Sequence, residues 1–306
     1  MRNENLGLND TVFVYKRHYY EILTHNFKYI FLLKDYGFQL ITFLLTRLLH
    51  DNFKVYCLVI VIPYISSVSY IIYKYSKFPC ISFILFICLQ YFSVAFTLMR
   101  QTMGMAILLF SVHLLIKKRN IEFCILVIIA SFFHAICIVF LSILVLKYVR
   151  FKKWMFIPLG LIVLYFLFFP NNIMRYIYFL ITDERFAVYE SARQTKNLTL
   201  FFTNIMLWSC ITIRYHKAKY ITGDRKIMYI CSSLAVVISP LTIALGEMSR
   251  IAYLFGIINI VVFPDFIEVF KKGRERQILV GFMCGLLIIY FMLFLGPQVN
   301  IIPYYF

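Results

Sequence analysis

Long apolar runs alternate with short polar or charged clusters along almost the whole chain. Several of these runs approach or exceed the roughly 18 apolar residues that cross a bilayer as one helix. The pattern therefore predicts an all-α fold, a polytopic integral membrane bundle with about nine or ten membrane segments. The candidate segments are residues 53–73, 79–98, 101–116, 121–146, 154–170, 198–213, 227–246, 251–270 and 277–296.

The composition excludes a soluble protein. Hydrophobic residues make up 62% of the 306 residues and charged residues 15%, whereas soluble domains average about 45–50% and about 25%. Mean hydropathy is +0.82. We therefore expect residues 1–306 to form a single transmembrane domain. The eight cysteines lie singly inside apolar runs without the spacing of a zinc site, so no metal site and no cofactor is predicted.

Positive charge is distributed unevenly between the apolar runs. The chain carries 31 Lys and Arg against 14 Asp and Glu, a net charge of +17. Five alternate connections hold 18 of these positive charges, and the connections between them hold six. The positive-inside rule places the side with 18 charges in the cytoplasm. Because membrane orientation accounts for the basic excess, nucleic acid is not expected as a partner.

Residues 121–146 do not fit a simple alternation of sides. Basic clusters flank both ends, so both ends should be cytoplasmic, yet 26 residues cannot make two full spans of about 20 residues each. A re-entrant pair of half-helices fits instead, with its turn near Phe133, His134 and Ala135. We then expect His134 at the inner end of an aqueous cavity, because irregular backbone at membrane depth needs protein or water beside it. The alternative is a long tilted helix with one misassigned loop.

The first 52 residues form a predicted outer region with one short helix. Residues 37–50 are apolar but carry Arg47, which is typical of an interfacial helix rather than a span. The helix at 53–73 must run inward to reach Lys74, so the region before it should lie outside. No apolar segment precedes it to carry it across. Either this tail is translocated unaided, or the chain begins downstream of a missing first span, which is the interpretation that we favour.

Two arginines on the predicted outer side need an explanation. Arg100 and Gln101 open one helix, and Arg250 opens another after a polar stretch. Charged residues at membrane helices are costly and are commonly kept for function. An arginine beside free helix N–H groups suits a phosphate, which guanidinium binds through two parallel hydrogen bonds. The alternative is an arginine that snorkels to the outer headgroups.

The longest outer loop, residues 171–197, mixes arginines, tyrosines and carboxylates. Arg185 and Tyr189 are candidate sugar or phosphate contacts. A general base is sought in Asp10 or among the loop carboxylates, of which Glu190 is one. An ordinary solvated loop would also account for this composition. Because the chain has no glycine-rich nucleotide loop, we expect a lipid-carried donor rather than a nucleotide sugar.

Several short motifs, in order, resemble those of the EpsG family of Wzy-like polysaccharide polymerases. An R-Q helix start is followed by a basic turn and, about 30 residues later, by an F-H segment. Weaker elements of that family pattern flank these three. The matching residues here are Leu98-Met99-Arg100-Gln101, Ala106, Lys117-Lys118-Arg119, Ile129 to Ala135, Gly7 to Tyr15, Gly37-Phe38, Tyr73 to Ser76, Ser249-Arg250-Ile251 and Pro303-Tyr304.

The resemblance implies a polymerase of undecaprenyl-diphosphate-linked oligosaccharide repeat units. Such enzymes act on the outer face of the bacterial inner membrane and build O-antigen, capsule or exopolysaccharide. Their partners would be the lipid-linked oligosaccharide, membrane lipids, and the chain-length regulator and flippase of the same pathway. Arg100 and Arg250 would then hold diphosphate, while Gln101 and His134 orient the acceptor or the leaving oxygen. Family members usually carry a membrane helix before the motif that matches Gly7 to Tyr15.

Three other functions stay open on the sequence. A lipid-linked oligosaccharide flippase would also need a cationic cavity, although alternating access usually comes with internal repeats, and none is evident. A membrane acyltransferase could use His134 as its base, but it would need a route from a cytoplasmic acyl donor. A scaffold of a glycan assembly complex would leave the arginines merely interfacial.

Overall fold

Every regular element in the described part of the chain is helical. The computed structural model describes residues 11–149, 156–169, 198–217, 223–243, 248–270 and 272–295. This confirms the all-α class that the apolar runs predict. The chain packs as two compact units, one formed by residues 1–138 with 267–306 and the other by residues 139–266. The predicted outer loop at 171–197 lies outside the described residues, and the single transmembrane domain stays a prediction.

The helices follow one another with short connections. In chain order they are α1 (Arg17–Thr24), α2 (Tyr36–Leu49), α3 (Phe53–Tyr75), α4 (Pro79–Cys88), α5 (Tyr91–Thr97), α6 (Met99–Ile116), α7 (Asn120–Phe133), α8 (Ser142–Leu146), α9 (Phe156–Phe168), α10 (Thr199–Lys217), α11 (Asp224–Ile238), α12 (Met248–Gly256), α13 (Asn259–Val262) and α14 (Arg274–Tyr290). Short 3-10 helices cover Phe27–Leu32, Ala135–Leu141, Ser239–Ile243 and Phe263–Val269, and short π-helices cover Thr11–Lys16 and Phe291–Leu295.

The multi-pass membrane character predicted from the sequence is confirmed. Four described stretches are long and apolar enough to cross a membrane, and they coincide with four predicted segments: Phe53–Tyr75, Met99–Ile116, Met248–Val269 and Arg274–Leu293. The predicted segments at 198–213 and 227–246 are helical as α10 and α11. Shorter apolar helices occupy Tyr36–Leu49, Asn120–Phe133, Ala135–Leu146 and Pro158–Phe168.

The segment predicted as one span at 79–98 consists of two helices. α4 and α5 meet at an angle of 45°, and together they form either a broken span or a re-entrant loop. Gln90, at the break, has a left-handed backbone with φ of +67°, which residues other than glycine rarely adopt. With this pair taken as one span, the described chain has five candidate crossings.

The helix at 121–146 breaks where the sequence places the turn. α7 ends at Phe133, and His134 has extended backbone angles of φ −157° and ψ 114°. A 3-10 turn begins at Ala135. The position of the break is therefore confirmed, while re-entry of this segment from the cytoplasmic side stays a prediction.

The N-terminal helices of the first unit pack around the start of α3. Tyr19 of α1 is fully buried, and its hydroxyl donates to the carbonyl of His50 at 2.7 Å. Thr42 of α2 shares a 2.9 Å hydrogen bond with the buried Tyr56 hydroxyl of α3. Arg47 donates to the carbonyls of Leu23 and His25, where a cation satisfies the open carbonyls of the α1 terminus. These bonds fix α2 against α1 and α3.

Two glycines allow the helices of the first unit to approach closely. A methyl group on Gly37 of α2 would meet the backbone of Phe132 in α7 at 3.1–3.2 Å. A methyl group on Gly104 of α6 would lie 2.5 Å from the sulfur of Cys137 and 3.8 Å from His134 Cβ. Small residues at such crossings are a general device of membrane helix packing. They bring the ends of α2, α6 and α7 together.

Three of the predicted cytoplasmic clusters lie at one end of the first unit. Lys74 of α3 approaches His113, near the end of α6, at 3.4 Å. Lys77 pairs with Glu268 at 2.7 Å, just before the basic residues that precede α14. Arg276 of α14 lies over the ring of Phe78. The loops with the greatest positive charge in this unit therefore share one end, as the positive-inside rule requires.

The second unit is held by polar bonds between apolar helices. Arg225 pairs with the buried Asp265 at 3.1 Å, and Trp208 donates to Ser233 at 3.0 Å. Thr212 and Tyr229 share a further bond of 3.0 Å. Hydrogen bonds of this kind hold membrane helices together where burial of apolar surface gives no advantage over lipid.

Replacing Gly104 with Ala is expected to destabilise the protein, because the new methyl group overlaps the sulfur of Cys137. Overpacking of this kind costs about 1–3 kcal/mol. The measurement is the thermal midpoint of the purified protein in detergent. Gly281→Ala is the matched control, since a methyl group there meets nothing within 4 Å. Equal midpoints for the two variants would contradict the close approach of α6 and α7.

The ends of the first unit are expected to face opposite sides of the membrane. In a variant without its native cysteines, Asp51→Cys should react with an impermeant maleimide on intact spheroplasts, because the exposed Asp51 lies before α3 at the end with little positive charge. Lys117→Cys, at the exposed basic end, should react only after permeabilisation. The reverse labelling pattern would show that the orientation is wrong.

Candidate functional site

Three chemically active side chains meet where the starts of α2 and α6 approach the end of α7. Arg100 Nη1 lies 2.9 Å from Asp35 Oδ2. His134 Nδ1 lies 3.8 Å from the same carboxylate oxygen, just beyond hydrogen-bond distance. The carboxylate of Asp35 is therefore shared between a guanidinium and an imidazole. These residues come from positions 35, 100 and 134, and the fold brings them together.

Arg100 stands in the first turn of α6 because the preceding chain cannot continue as helix. α5 ends at Thr97, and Leu98 has non-helical angles of φ −125° and ψ 54°. The first N–H groups of α6 therefore have no partner within their own helix. The N–H of Arg100 donates to the Tyr15 hydroxyl at 3.4 Å. The guanidinium and the positive end of the helix thus coincide, as the sequence predicts for a phosphate site.

Asp35 directs its carboxylate away from the helix that it begins. It has left-handed backbone angles of φ +62° and ψ +56°, and its side chain does not cap α2. Its carbonyl accepts the N–H groups of Phe38 and Gln39. A non-glycine residue in this conformation stores strain, which is typical of functional sites. The conformation leaves the carboxylate free to face Arg100.

His134 is buried without a hydrogen-bond partner among the described residues. The residue is 8% exposed, and neither ring nitrogen has an acceptor or donor within reach. Buried polar atoms are almost always paired, so such an atom calls for an explanation such as an ordered water or a ligand. The ring also lies beside the Asp35 carboxylate. His134 is therefore placed to receive a polar group from a bound molecule.

Opposing effects set the charge state of Asp35. Burial by itself raises the pKa of this carboxyl, but the neighbouring His134 ring, the charge of Arg100 and the N–H of Ala135 together lower it further than burial raises it. The pKa of Asp35 therefore lies below its ordinary value of 3.8. At neutral pH the group is a carboxylate that balances the guanidinium of Arg100.

Gln101 is buried beside this cluster. It is 1% exposed, and its amide nitrogen lies 3.9 Å from the sulfur of Met105 one turn along α6. Arg250 lies half-buried in the first turn of α12, in the second unit. Its predicted convergence with Arg100 stays a prediction. Four other sequence candidates lie outside the described residues: Asp10, Arg185, Tyr189 and Glu190.

The sequence did not identify Asp35 or His18 as site residues. Asp35 lies close to the Gly37-Phe38 motif, but the sequence analysis predicts the functional carboxylate in the outer loop or at Asp10. The available signal was its rarity, since only 14 of 306 residues are acidic. His18 of α1 hydrogen-bonds Gln39 of α2, and the charge of Arg100 acts on it. No local pattern marks that histidine.

The arrangement is suited to binding an anion and stabilising charge that develops on it. Arg100 supplies a cation in a partly desolvated position, with 34% of its side chain exposed. Donors fixed before the reaction stabilise developing charge at little reorganisation cost. Within the described ranges, no group of three or more His, Cys, Asp and Glu is arranged to hold a metal ion.

Comparison with known proteins gives one match. The model of the EpsG family matches residues 2–306. No curated protein and no solved structure is significantly similar to this chain.

Replacing Asp35 with Asn is expected to destabilise the protein near neutral pH by about 1–2 kcal/mol, because Arg100 loses its counter-charge. The depressed pKa of Asp35 means that its stabilisation is present above pH 3.8 and is lost as pH falls through the lower pKa of the folded state. Denaturation midpoints measured between about pH 3 and pH 7 should therefore converge for the two proteins at the acid end.

The matched control for this change is Glu122→Gln. Glu122 also pairs with an arginine, at 2.8 Å from Arg119, but both side chains are largely exposed. Exposed pairs contribute little. Equal loss of stability in Asp35→Asn and Glu122→Gln would show that the Asp35 pair has no special role.

Proposed function

This chain belongs to the EpsG family of membrane proteins, which is linked to exopolysaccharide synthesis, and we propose that it is a polysaccharide polymerase. It joins undecaprenyl-diphosphate-linked oligosaccharide repeat units into a surface polysaccharide such as O-antigen or capsule. The reaction is a glycosyl transfer on the outer face of the bacterial inner membrane. The growing chain on its lipid diphosphate is the donor, and a new lipid-linked unit is the acceptor.

The observation that carries this proposal is the unpartnered, buried His134 beside the Arg100–Asp35 pair. A buried imidazole and a guanidinium at a helix N-terminus form a site for an anionic, polar ligand. The site lies at the opposite end of α6 from the basic cluster at 117–119. By the positive-inside rule that end is external, where lipid-linked repeat units are joined.

The proposed chemistry follows from the charge that the reaction develops. Breaking the bond between the donor sugar and its diphosphate leaves negative charge on the phosphate oxygen. Arg100 binds that diphosphate and stabilises the charge as it grows. Asp35 holds the guanidinium in position, and His134 with Gln101 orients the leaving or the acceptor oxygen. Arg250, Arg185 and Tyr189 are proposed as further substrate contacts, and Asp10 or Glu190 as a base.

The partners follow from the same proposal. The substrate is the undecaprenyl-diphosphate-linked oligosaccharide, held within the surrounding membrane lipids. A flippase must deliver each unit to the outer face, and a chain-length regulator would act on the product. Both are therefore proposed partners.

A second candidate is a flippase for the same lipid-linked unit. The 45° break between α4 and α5 favours it, because transporters build their substrate sites from broken helices. The two functions differ in what a deletion leaves behind. Without a flippase no surface glycan appears, whereas without a polymerase single capped repeats remain.

Replacing Arg100 with Ala or with Lys is expected to reduce polymer on the order of 100-fold, because a preorganised cation is lost or its paired donors are replaced by a point charge. The measurement is a surface-glycan ladder gel of a deletion strain that carries each variant. The ladder should collapse to a single-repeat band. Arg119→Lys, in the exposed pair with Glu122 at the basic end, is the control and should keep the ladder. A normal ladder with Arg100→Lys would contradict the assigned role.

A further inference from the structure

His18 lies on α1 with one of its ring nitrogens fixed by α2. Nε2 of His18 lies 2.5 Å from Oε1 of Gln39. The amide nitrogen of Gln39 donates to the carbonyl of Lys34 at 2.8 Å, which sets the orientation of the amide. The oxygen of that amide must then face His18. Because an amide oxygen only accepts, Nε2 of His18 is the donor of this bond.

The tautomer that follows leaves the second ring nitrogen available as a base. With the proton on Nε2, the neutral imidazole carries its lone pair on Nδ1. Among the described residues, Nδ1 of His18 makes no hydrogen bond. A third group that orients the base through its other nitrogen is the usual arrangement of a catalytic histidine.

The surroundings of His18 favour its neutral form. Burial lowers its pKa below the ordinary value of 6.5, the hydrogen bond with Gln39 raises it, Arg100 on α6 lowers it, and Glu21 on its own helix raises it, with lowering as the net result. A neutral imidazole can accept a proton, whereas an imidazolium cannot. The same guanidinium therefore binds the Asp35 carboxylate and disfavours protonation of His18.

We propose that His18 is the general base that removes the proton from the acceptor sugar hydroxyl, with Gln39 as its positioning residue. This inference rests on the proposed polymerase function. Gln39 links the two parts of the site, because its side chain bonds His18 and its backbone N–H donates to the carbonyl of Asp35, whose carboxylate pairs with Arg100. His18 takes this role in place of the candidates that the sequence offers, which are Asp10, the loop carboxylates such as Glu190, and His134.

The proton and the electron pairs of this step balance. The acceptor hydroxyl gives its proton to Nδ1 of His18, and its oxygen forms the new bond to the anomeric carbon of the donor. The bond from that carbon to the diphosphate oxygen breaks, and its electron pair leaves with the diphosphate, whose charge Arg100 stabilises. The imidazolium then releases its proton to water.

The other groups of the cluster are weaker candidates for this task. The carboxylate of Asp35 is paired with Arg100, and its lowered pKa makes it a poor proton acceptor. His134 has its Nδ1 turned toward that same carboxylate at 3.8 Å. The polar group that this nitrogen faces is therefore the carboxylate rather than an acceptor hydroxyl.

The test uses the full-length protein in detergent with a lipid extract of the deletion strain, which holds the accumulated lipid-linked repeat units. His18→Gln should lower the initial polymerisation rate about 100-fold or more. His25→Gln is the matched control, because His25 is an exposed histidine just after α1 and should leave the rate unchanged. Binding of undecaprenyl diphosphate, followed by thermal shift, should be kept in both variants.

A pH profile separates a catalytic role from a structural one. The wild-type rate should fall as pH falls through the His18 pKa, which lies below 6.5. Gln39→Glu keeps an acceptor oxygen but adds a negative charge, so this fall should move to higher pH. A structural histidine would leave the position of the fall unchanged.

The outcomes distinguish this inference from the function on which it rests. No polymer from the wild-type protein with the extract would overturn the polymerase proposal itself. Polymer from the wild type and an equal rate in His18→Gln would overturn only the role of His18. If His18→Gln does not fold, the pH profile of Gln39→Glu tests the inference instead. A rate that falls at the same pH as in the wild type would then overturn it.

Discussion

A guanidinium at the start of a membrane helix must be neutralised, and the first unit is arranged around that requirement. The Arg100–Asp35 pair, at 2.9 Å, joins residues that are 65 positions apart. To supply the carboxylate, the chain holds Asp35 in a left-handed conformation at the start of α2. That strain persists because the bonds of Arg47 and Thr42 hold the same helix in place.

The close approach of α2 and α6 to the end of α7 places His134 beside the Arg100–Asp35 pair. Gly37 and Gly104 have no side chain, so α2 and α6 can lie against the end of α7. α7 stops at Phe133, and the extended backbone of His134 carries its ring to the Asp35 carboxylate. A single added methyl group at the α6 crossing would disturb this relation. The arrangement of the charged cluster therefore depends on helix contacts at two glycines that take no part in its chemistry.

The two histidines of the site differ in what surrounds them. His134 is buried beside a carboxylate and has no hydrogen-bond partner among the described residues. His18 donates to an amide oxygen, and its burial and the charge of Arg100 lower its pKa, which favours its neutral form. His18 therefore suits the role of a base, whereas the surroundings of His134 suit contact with a polar group of a bound molecule. Arg100 takes part in both environments.

The sequence by itself determined the all-helical membrane fold, four long spans and the break at His134, because hydropathy and charge in a bilayer act locally along the chain. It could not place Asp35 or His18 beside Arg100. Their contacts span many residues and arise from the packing of short N-terminal helices, which no periodicity encodes. The bend at Gln90 likewise depends on tertiary packing, since one polar residue in the apolar run 79–98 does not by itself predict a left-handed backbone there.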